Sequence, residues 1–223
     1  MQGEQFREEL RPLCAPLRDA KMSEKLSLPP QLFVAEGTDR KCFRHPTDER
    51  RCIKVLHPDT RPGRFWRELR YFRSLQRRGV DFSHLTPYRG MVNTNLGRGA
   101  IFDLVLDDDG RISRSLHHYL GKNDGEFNAR MVEEMERLKQ NLYDQWIVFH
   151  DLNPTNILVK RLGYDEYRLV VIDGIGHNHF VPLASYSATL ARKKLVRVWN
   201  RRYQQWYSAF PPVARALKPY PAI

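Results

Sequence analysis

The stretch His150-Asp151-Leu152-Asn153-Pro154-Thr155-Asn156-Ile157-Leu158-Val159 constrains this chain most: an aspartate, an asparagine five positions later, then an apolar run. Further on, Val170-Val171-Ile172-Asp173-Gly174 is a strand pattern that ends on a second aspartate. Gly163-Tyr164-Asp165-Glu166 is a turn cluster, so Ile157–Arg161 and Tyr167–Ile172 are expected to form a hairpin. Two carboxylates and one amide at strand ends suit phosphoryl transfer. One carboxylate orients a hydroxyl, while the amide and the other carboxylate hold the magnesium that neutralises a triphosphate. Asn-Pro turns and strand-end aspartates are common singly. The ordered pair, each member on an apolar strand pattern, carries the reading.

Upstream, Leu32–Ala35, Lys41–His45 and Cys52–Leu56 read as strands, with Pro46-Thr47-Asp48-Glu49 as the turn between the last two. Lys54 lies inside an apolar strand, which is costly unless its ammonium is paired. A candidate partner, the one that the resemblance named below implies, is Glu68, fourteen residues on, in a helix whose Phe65, Leu69 and Phe72 line one face. The alternative is a solvated Glu68 paired along its own helix. Strand alternation puts Cys52 on the face of Lys54. A hairpin symmetric about Thr47 would set Cys42 opposite Cys52.

Tyr88–Val92 and Ala100–Leu106 are further strand patterns, and Asp107-Asp108-Asp109-Gly110 breaks the second as a solvated turn. Leu116–Leu120 begins a helix. Phe127–Trp146 is a long amphipathic one, with Met131, Met135, Leu138, Leu142 and Trp146 on its buried stripe. Residues 184–210 read as one helix or a broken pair, carrying Leu195, Trp199, Tyr203, Trp206 and Phe210. Arg192, Lys193, Lys194, Arg197, Arg201 and Arg202 share that segment. Interleaved basic and aromatic residues can bind nucleic acid or an anionic membrane. The stripe geometry favours aromatics packed under the Asp151 loop, with the basic face exposed. In residues 1–27, Phe6, Leu10, Leu13 and Leu17 are spaced for a helix that Pro12 and Pro16 interrupt, so an arm is expected there.

A chain of 223 residues can bury one good core, or two small lobes sharing a cleft. No apolar stretch approaches the roughly 18 residues of a membrane span, and Met1–Lys25 has no apolar signal core, so a cytoplasmic location is expected. Three cysteines cannot build a disulfide framework, and no Cys/His cluster has zinc spacing. The formal charge of +11 points to an anionic partner. ATP does not need so much charge. The excess suits an acidic acceptor, a membrane surface touched peripherally or, as a weaker reading, nucleic acid.

Asp151-Leu152-x-Pro154-x-Asn156-Ile157-Leu158 resembles the catalytic loop of protein kinases, and Asp173-Gly174 resembles a DFG motif without its Phe. Arg51-Cys52-Ile53-Lys54 stands where V-A-I-K would. Ala35, Gly37, Arg40 and Cys42 fall on the glycine-rich loop pattern, of which only Gly37 is kept. Arg40 and Lys41 could supply the missing phosphate contacts. The resemblance implies that Lys54 binds the α- and β-phosphates and Glu68 orients it. It implies that Asp151 takes the proton of an acceptor hydroxyl, and that Asn156 and Asp173 ligate Mg²⁺. Cys42 and Cys52 would roof the adenine, and the backbone from Asp103 to Val105 would face its edge. Departures are present. Phe149 and His150 replace the H-R of H-R-D, Asn153 replaces the loop lysine, and no A-P-E follows. Together with Gly37-Thr38-x-Arg40-Lys41-Cys42-Phe43-x-His45-Pro46, Arg67-Glu68-Leu69-Arg70-Tyr71 and Ile172-Asp173-Gly174-Ile175-Gly176, these strings look like the YrbL-type PhoP-regulatory-network family over residues 30–200.

The expected fold is α+β, a minimal protein-kinase-like two-lobed arrangement. Residues 1–27 would form an arm, 28–108 an N-lobe of five antiparallel strands and one helix, and 109–223 a truncated helical C-lobe. The expected activity is an ATP- and Mg²⁺-dependent transfer to a hydroxyl of a protein or small molecule. A pseudokinase-type scaffold and a basic nucleic-acid-binding module are the alternatives.

Overall fold

Short apolar runs punctuated by turn residues build the first layer. The computed structural model describes residues 25–120, 125–176, 187–209 and 219–220. In it β1 (Phe33–Glu36), β2 (Arg40–Arg44), β3 (Arg51–Leu56), β4 (Tyr88–Thr94) and β5 (Gly97–Asp103) form one antiparallel sheet in the order β1-β2-β3-β5-β4. This is the expected five-stranded sheet. β5 ends at Asp103, short of Leu106, and the Leu104 amide carries its register on β3 one step further by donating to the Arg50 carbonyl at 2.8 Å. The sheet also recruits residues before the expected boundary at 28. The Leu26 amide donates to Asn93, and the Leu26 carbonyl accepts from Asn95. The rest of the expected arm lies outside the described residues.

The register of β2 on β3 differs from the expected one. Cys42 stands opposite Lys54, and Cys52 opposite Arg44. The loop is centred on Asp48 rather than Thr47, because the Asp48 side chain accepts the Arg50 amide at 3.0 Å and its carbonyl accepts the Arg51 amide at 3.0 Å. Moving the centre by one residue moves every pair by two.

α1 (Gly63–Arg77) packs on this sheet through Phe65, Leu69, Phe72 and Leu75, all buried. Phe72 meets Phe102 of β5 edge-on, with ring centroids 5.2 Å apart. Glu68 is buried on the same helix.

The second half contains β6 (Arg114–Ser115), α2 (Leu116–Leu120), α3 (Gly125–Asp144), β7 (Ile157–Gly163), β8 (Glu166–Val171) and α4 (Ala188–Ala209). Its three helices fall close to the expected segments. The predicted β7–β8 hairpin forms, and β6 extends it to a three-stranded sheet. β6 is only two residues long, too short to carry a period in the sequence. Met131, Met135, Leu138 and Leu142 of α3 are buried, as their spacing predicts. Trp146 is not on that stripe. The helix ends at Asp144, and Trp146 turns out with φ of 44° under the Arg78 guanidinium. α4 buries Ala191, Leu195 and Trp199, and the Trp199 ring meets Tyr220 edge-on. His177–His179, the Trp206 side chain, Phe210 and the following proline-rich residues lie outside the described set. No helix among the described residues is long and apolar enough to cross a membrane.

Several contacts tie the halves together, two of them through the backbone of the second half. His84 and Thr86 pair with Val171 of β8 through the backbone. The Tyr71 hydroxyl of α1 accepts the buried Val148 amide at 2.7 Å. Burial pushes the Tyr71 phenol up to about 12, so it stays protonated. Tyr71→Phe strands that amide without an acceptor and is expected to lower unfolding free energy by about 1–3 kcal/mol. Urea denaturation followed by circular dichroism measures this, and an unchanged midpoint rejects the linkage.

Candidate functional site

The site is assembled around the residues that follow β8. There the chain turns through Gly174, at φ of 81°. A Cβ on Gly174 would collide with the Asp151 carbonyl oxygen, so only glycine lets the two segments touch. The Gly174 carbonyl accepts the amides of His150 (2.9 Å) and Asp151 (3.3 Å), and the Gly176 amide donates to Val148 at 2.8 Å. One step back, the Ile172 amide donates to the Asn156 carbonyl at 2.9 Å. The Ile172 carbonyl accepts the Lys54 ammonium at 2.6 Å. Lys54, Asp151, Asn156 and Asp173 are thereby bound to one three-residue segment, although 119 positions separate the first from the last (173 − 54).

The loop between Asp151 and Asn156 has its own local logic. Asn153 caps a 3-10 turn over Pro154–Asn156, its side chain accepting the Thr155 amide at 3.2 Å. Pro154 suits the first turn position because its missing N–H would have had no partner. Phe149, in place of the histidine of H-R-D, is fully buried and bridges to Ile175. It holds the loop apolarly from below.

The charges are arranged differently from expectation. Glu68 does not pair with Lys54. Its Oε2 accepts from Arg40 at 2.8 Å, and the other end of the same guanidinium reaches Asp173 Oδ1 at 2.6 Å. Arg40 can bridge two carboxylates because its planar fork carries donors on separate nitrogens, which an ammonium does not. Lys54 sits over the Phe102 ring, 4.8 Å from its centroid. Glu68 Oε1 is buried without a hydrogen-bond partner. Burial pushes the Glu68 carboxyl up, Arg40 pulls it back in part, and Asp173 adds to the rise. Burial also acts against the Asp173 charge, but Arg40, Lys54 and the Gly174 amide together hold that carboxyl below its ordinary value.

Asp151 has a partner that sequence reasoning missed. Arg202 of α4 forms an ion pair with Asp151 Oδ1. The expected exposed basic face of α4 is thus divided. Lys193, Arg197 and Arg201 are exposed, while Arg192 donates to the Tyr143 carbonyl and Arg202 turns to the loop. Nothing in the spacing of six basic residues singles out position 202. The acidic triplet is likewise no free turn, because Arg161 ion-pairs with Asp107, Asp108 and Asp109.

Gly37 closes the β1–β2 hairpin, its amide donating to the Arg40 carbonyl at 2.8 Å. Cys42 and Cys52 share the sheet face of Arg40 and Lys54, with their side chains hydrogen-bonded to each other. At the expected adenine edge, the amides of Asp103 and Leu104 donate to Pro87 and Arg50, and the Val105 carbonyl accepts from Ser113. The Asp103 carboxylate takes both donors of Arg89. A base at this edge would have to compete with these bonds.

Asp173 and Asn156 offer the hard oxygen donors that Mg²⁺ takes, and Mg²⁺ keeps water and phosphate oxygens for its other positions. The donor set therefore fits a nucleotide-borne magnesium. Among the described residues no three His, Cys, Asp or Glu side chains stand together as an all-protein metal site.

The family described as PhoP regulatory network protein YrbL matches residues 26–206. The chain is 35% identical over 196 residues to the uncharacterized protein YrbL of Escherichia coli (strain K12), covering 86% of this chain and 91% of that protein. The protein of the same name from Shigella flexneri matches with the same identity and coverage.

Arg40→Met leaves Glu68 and Asp173 without their cation and is expected to cost about 3–5 kcal/mol at neutral pH. The loss should shrink from pH ~7 to ~5, because protonation neutralises the carboxylates that the variant leaves bare. Urea unfolding at the two pH values reads the difference, and a loss that does not depend on pH contradicts the bridge.

Proposed function

We propose that this chain, which belongs to the PhoP regulatory network protein YrbL family, is a minimal protein-kinase-like phosphotransferase. It uses ATP with Mg²⁺ and passes the γ-phosphoryl group to a hydroxyl of a protein or small-molecule acceptor. The observation that carries this reading is the attachment of Lys54, Asp151, Asn156 and Asp173 to the Ile172–Gly174 segment. Phosphoryl transfer asks little of a protein beyond positioning and charge. A cation, a hydroxyl-orienting carboxylate and a metal-holding pair held to one rigid segment are those requirements.

Lys54 binds the α- and β-phosphates and turns from the Ile172 carbonyl toward the vacant Glu68 Oε1, which then orients it. Asp151 accepts the proton of the acceptor hydroxyl. Asp173 and Asn156 would hold Mg²⁺, which would screen the charge of the triphosphate. Arg40 leaves Asp173 for a phosphate oxygen, taking the place of the absent glycines. A scaffold that binds nucleotide without transferring phosphate is the second reading. Its support is that Asp151 and Asp173 both already carry an arginine.

Labelled γ-phosphate incorporation into the chain, into cell extract and into water tests the transfer. Asp151→Ala is expected to lower it by about 10²–10⁴-fold while preserving the Mg-ATP-induced rise in Tm. Lys54→Met should lose both. Wild-type transfer no greater than that of Asp151→Ala, with the Tm rise intact, favours the scaffold. Absence of both signals rejects the nucleotide site.

A further inference from the structure

The hairpin β2–β3 places two sulfurs and two cations on one face. Alternation puts Arg40 beside Cys42 along β2, and Cys52 beside Lys54 along β3. The register sets Cys42 directly across from Lys54, with Cys52 one diagonal step away. The two thiols are hydrogen-bonded to each other. Their exposures differ. Cys52 is 4% exposed, between Arg44 of β2 and Phe102 of β5, whereas Cys42 is only partly buried.

We propose that Cys42 and Cys52 form a peroxide-sensitive dithiol site, with Cys42 as the attacked sulfur and Cys52 as the resolving one. A cysteine beside Arg and Lys is favoured as thiolate, the form that reacts. The Cys42 thiol is held down to about 7, chiefly by the hydrogen bond with Cys52, against burial and with help from Lys54 and Arg40. The same hydrogen bond and burial push the Cys52 thiol well up, so the pair is asymmetric. Cys42 is the less buried of the two residues, so its sulfur is the one a small oxidant would meet first.

The chemistry balances with a hydroperoxide, ROOH, as oxidant. The Cys42 thiolate attacks the terminal peroxide oxygen, an S–O bond forms, and the O–O bond breaks. RO⁻ leaves and takes a proton from solvent as ROH, and Cys42 becomes a sulfenic acid, oxidised by two electrons. The Cys52 sulfur then attacks Cys42 sulfur and the S–O bond breaks. Hydroxide leaves with the Cys52 proton as water, and the disulfide remains. A diagonal pair has α-carbons roughly 7–8 Å apart, beyond the roughly 4.4–6.8 Å that a disulfide usually spans, so the bond cannot close without backbone movement. Closing the bond therefore shears β2 against β3, at the level of Arg40 and Lys54. The site stands on the thiols alone and does not depend on phosphoryl transfer.

The test uses the full chain carrying Cys14→Ser, so that only these two thiols remain. It is exposed to hydrogen peroxide, with thiol titration and intact mass in the presence and absence of dimedone. Both thiols should disappear together, the monomer mass should fall by two hydrogens, and dithiothreitol should restore both. Adding Cys52→Ser should leave a dimedone adduct on Cys42, whereas adding Cys42→Ser should leave Cys52 unreactive. The proposal is overturned if both thiols outlast free cysteine under the same peroxide. It is also overturned if the two react independently, or if the only disulfide joins two chains. The mass of the two-thiol chain decides the matter even if a second serine impairs folding.

Discussion

The Gly174 carbonyl, accepting the amides of His150 and Asp151, is the contact on which the rest of the site depends. It is available only because residue 174 has no Cβ to strike the Asp151 carbonyl. Through it the Asp151 loop lies on the segment that carries Asp173, and the Ile172 bonds add Asn156 on one side and Lys54 on the other. The backbone hydrogen bonds among these fix the Asp151 loop without a cost in side-chain rotamer entropy, whereas the Lys54 bond orders a long side chain.

Charge is then distributed over that frame by arginines rather than by the lysine. Arg40 joins Glu68 to Asp173, and Arg202 joins α4 to Asp151. Each of these carboxylates thereby has a cation, which burial requires. Lys54 is left on a carbonyl and over an aromatic face. Filling the site with an anion would redistribute cations already in place. The same arrangement sets two positive groups, Arg40 and Lys54, beside Cys42 on one hairpin face.

Much of the fold was legible. The five strands of the first sheet, the helix with Phe65, Leu69 and Phe72, the β7–β8 hairpin and the buried stripe of α3 each follow from local period and turn residues. Boundaries failed where tertiary bonds intervened. Trp146 leaves α3 to stack on Arg78, and Asp48 recentres the β2–β3 loop. β6 owes its existence to β7 and has no signal of its own.

The family and the α+β class came from the sequence by itself, because motif strings and apolar alternation are local properties, and the resemblance those strings carry grouped Lys54, Asp151, Asn156 and Asp173 as candidates. Which cation meets which carboxylate was decided only by the tertiary structure. Arg40 displaced Lys54 from Glu68, and Arg202 was selected from a run of basic residues by the orientation of α4 on the core. Long charged side chains choose partners by reach and burial in three dimensions. Neither quantity is written in the order of residues along the chain.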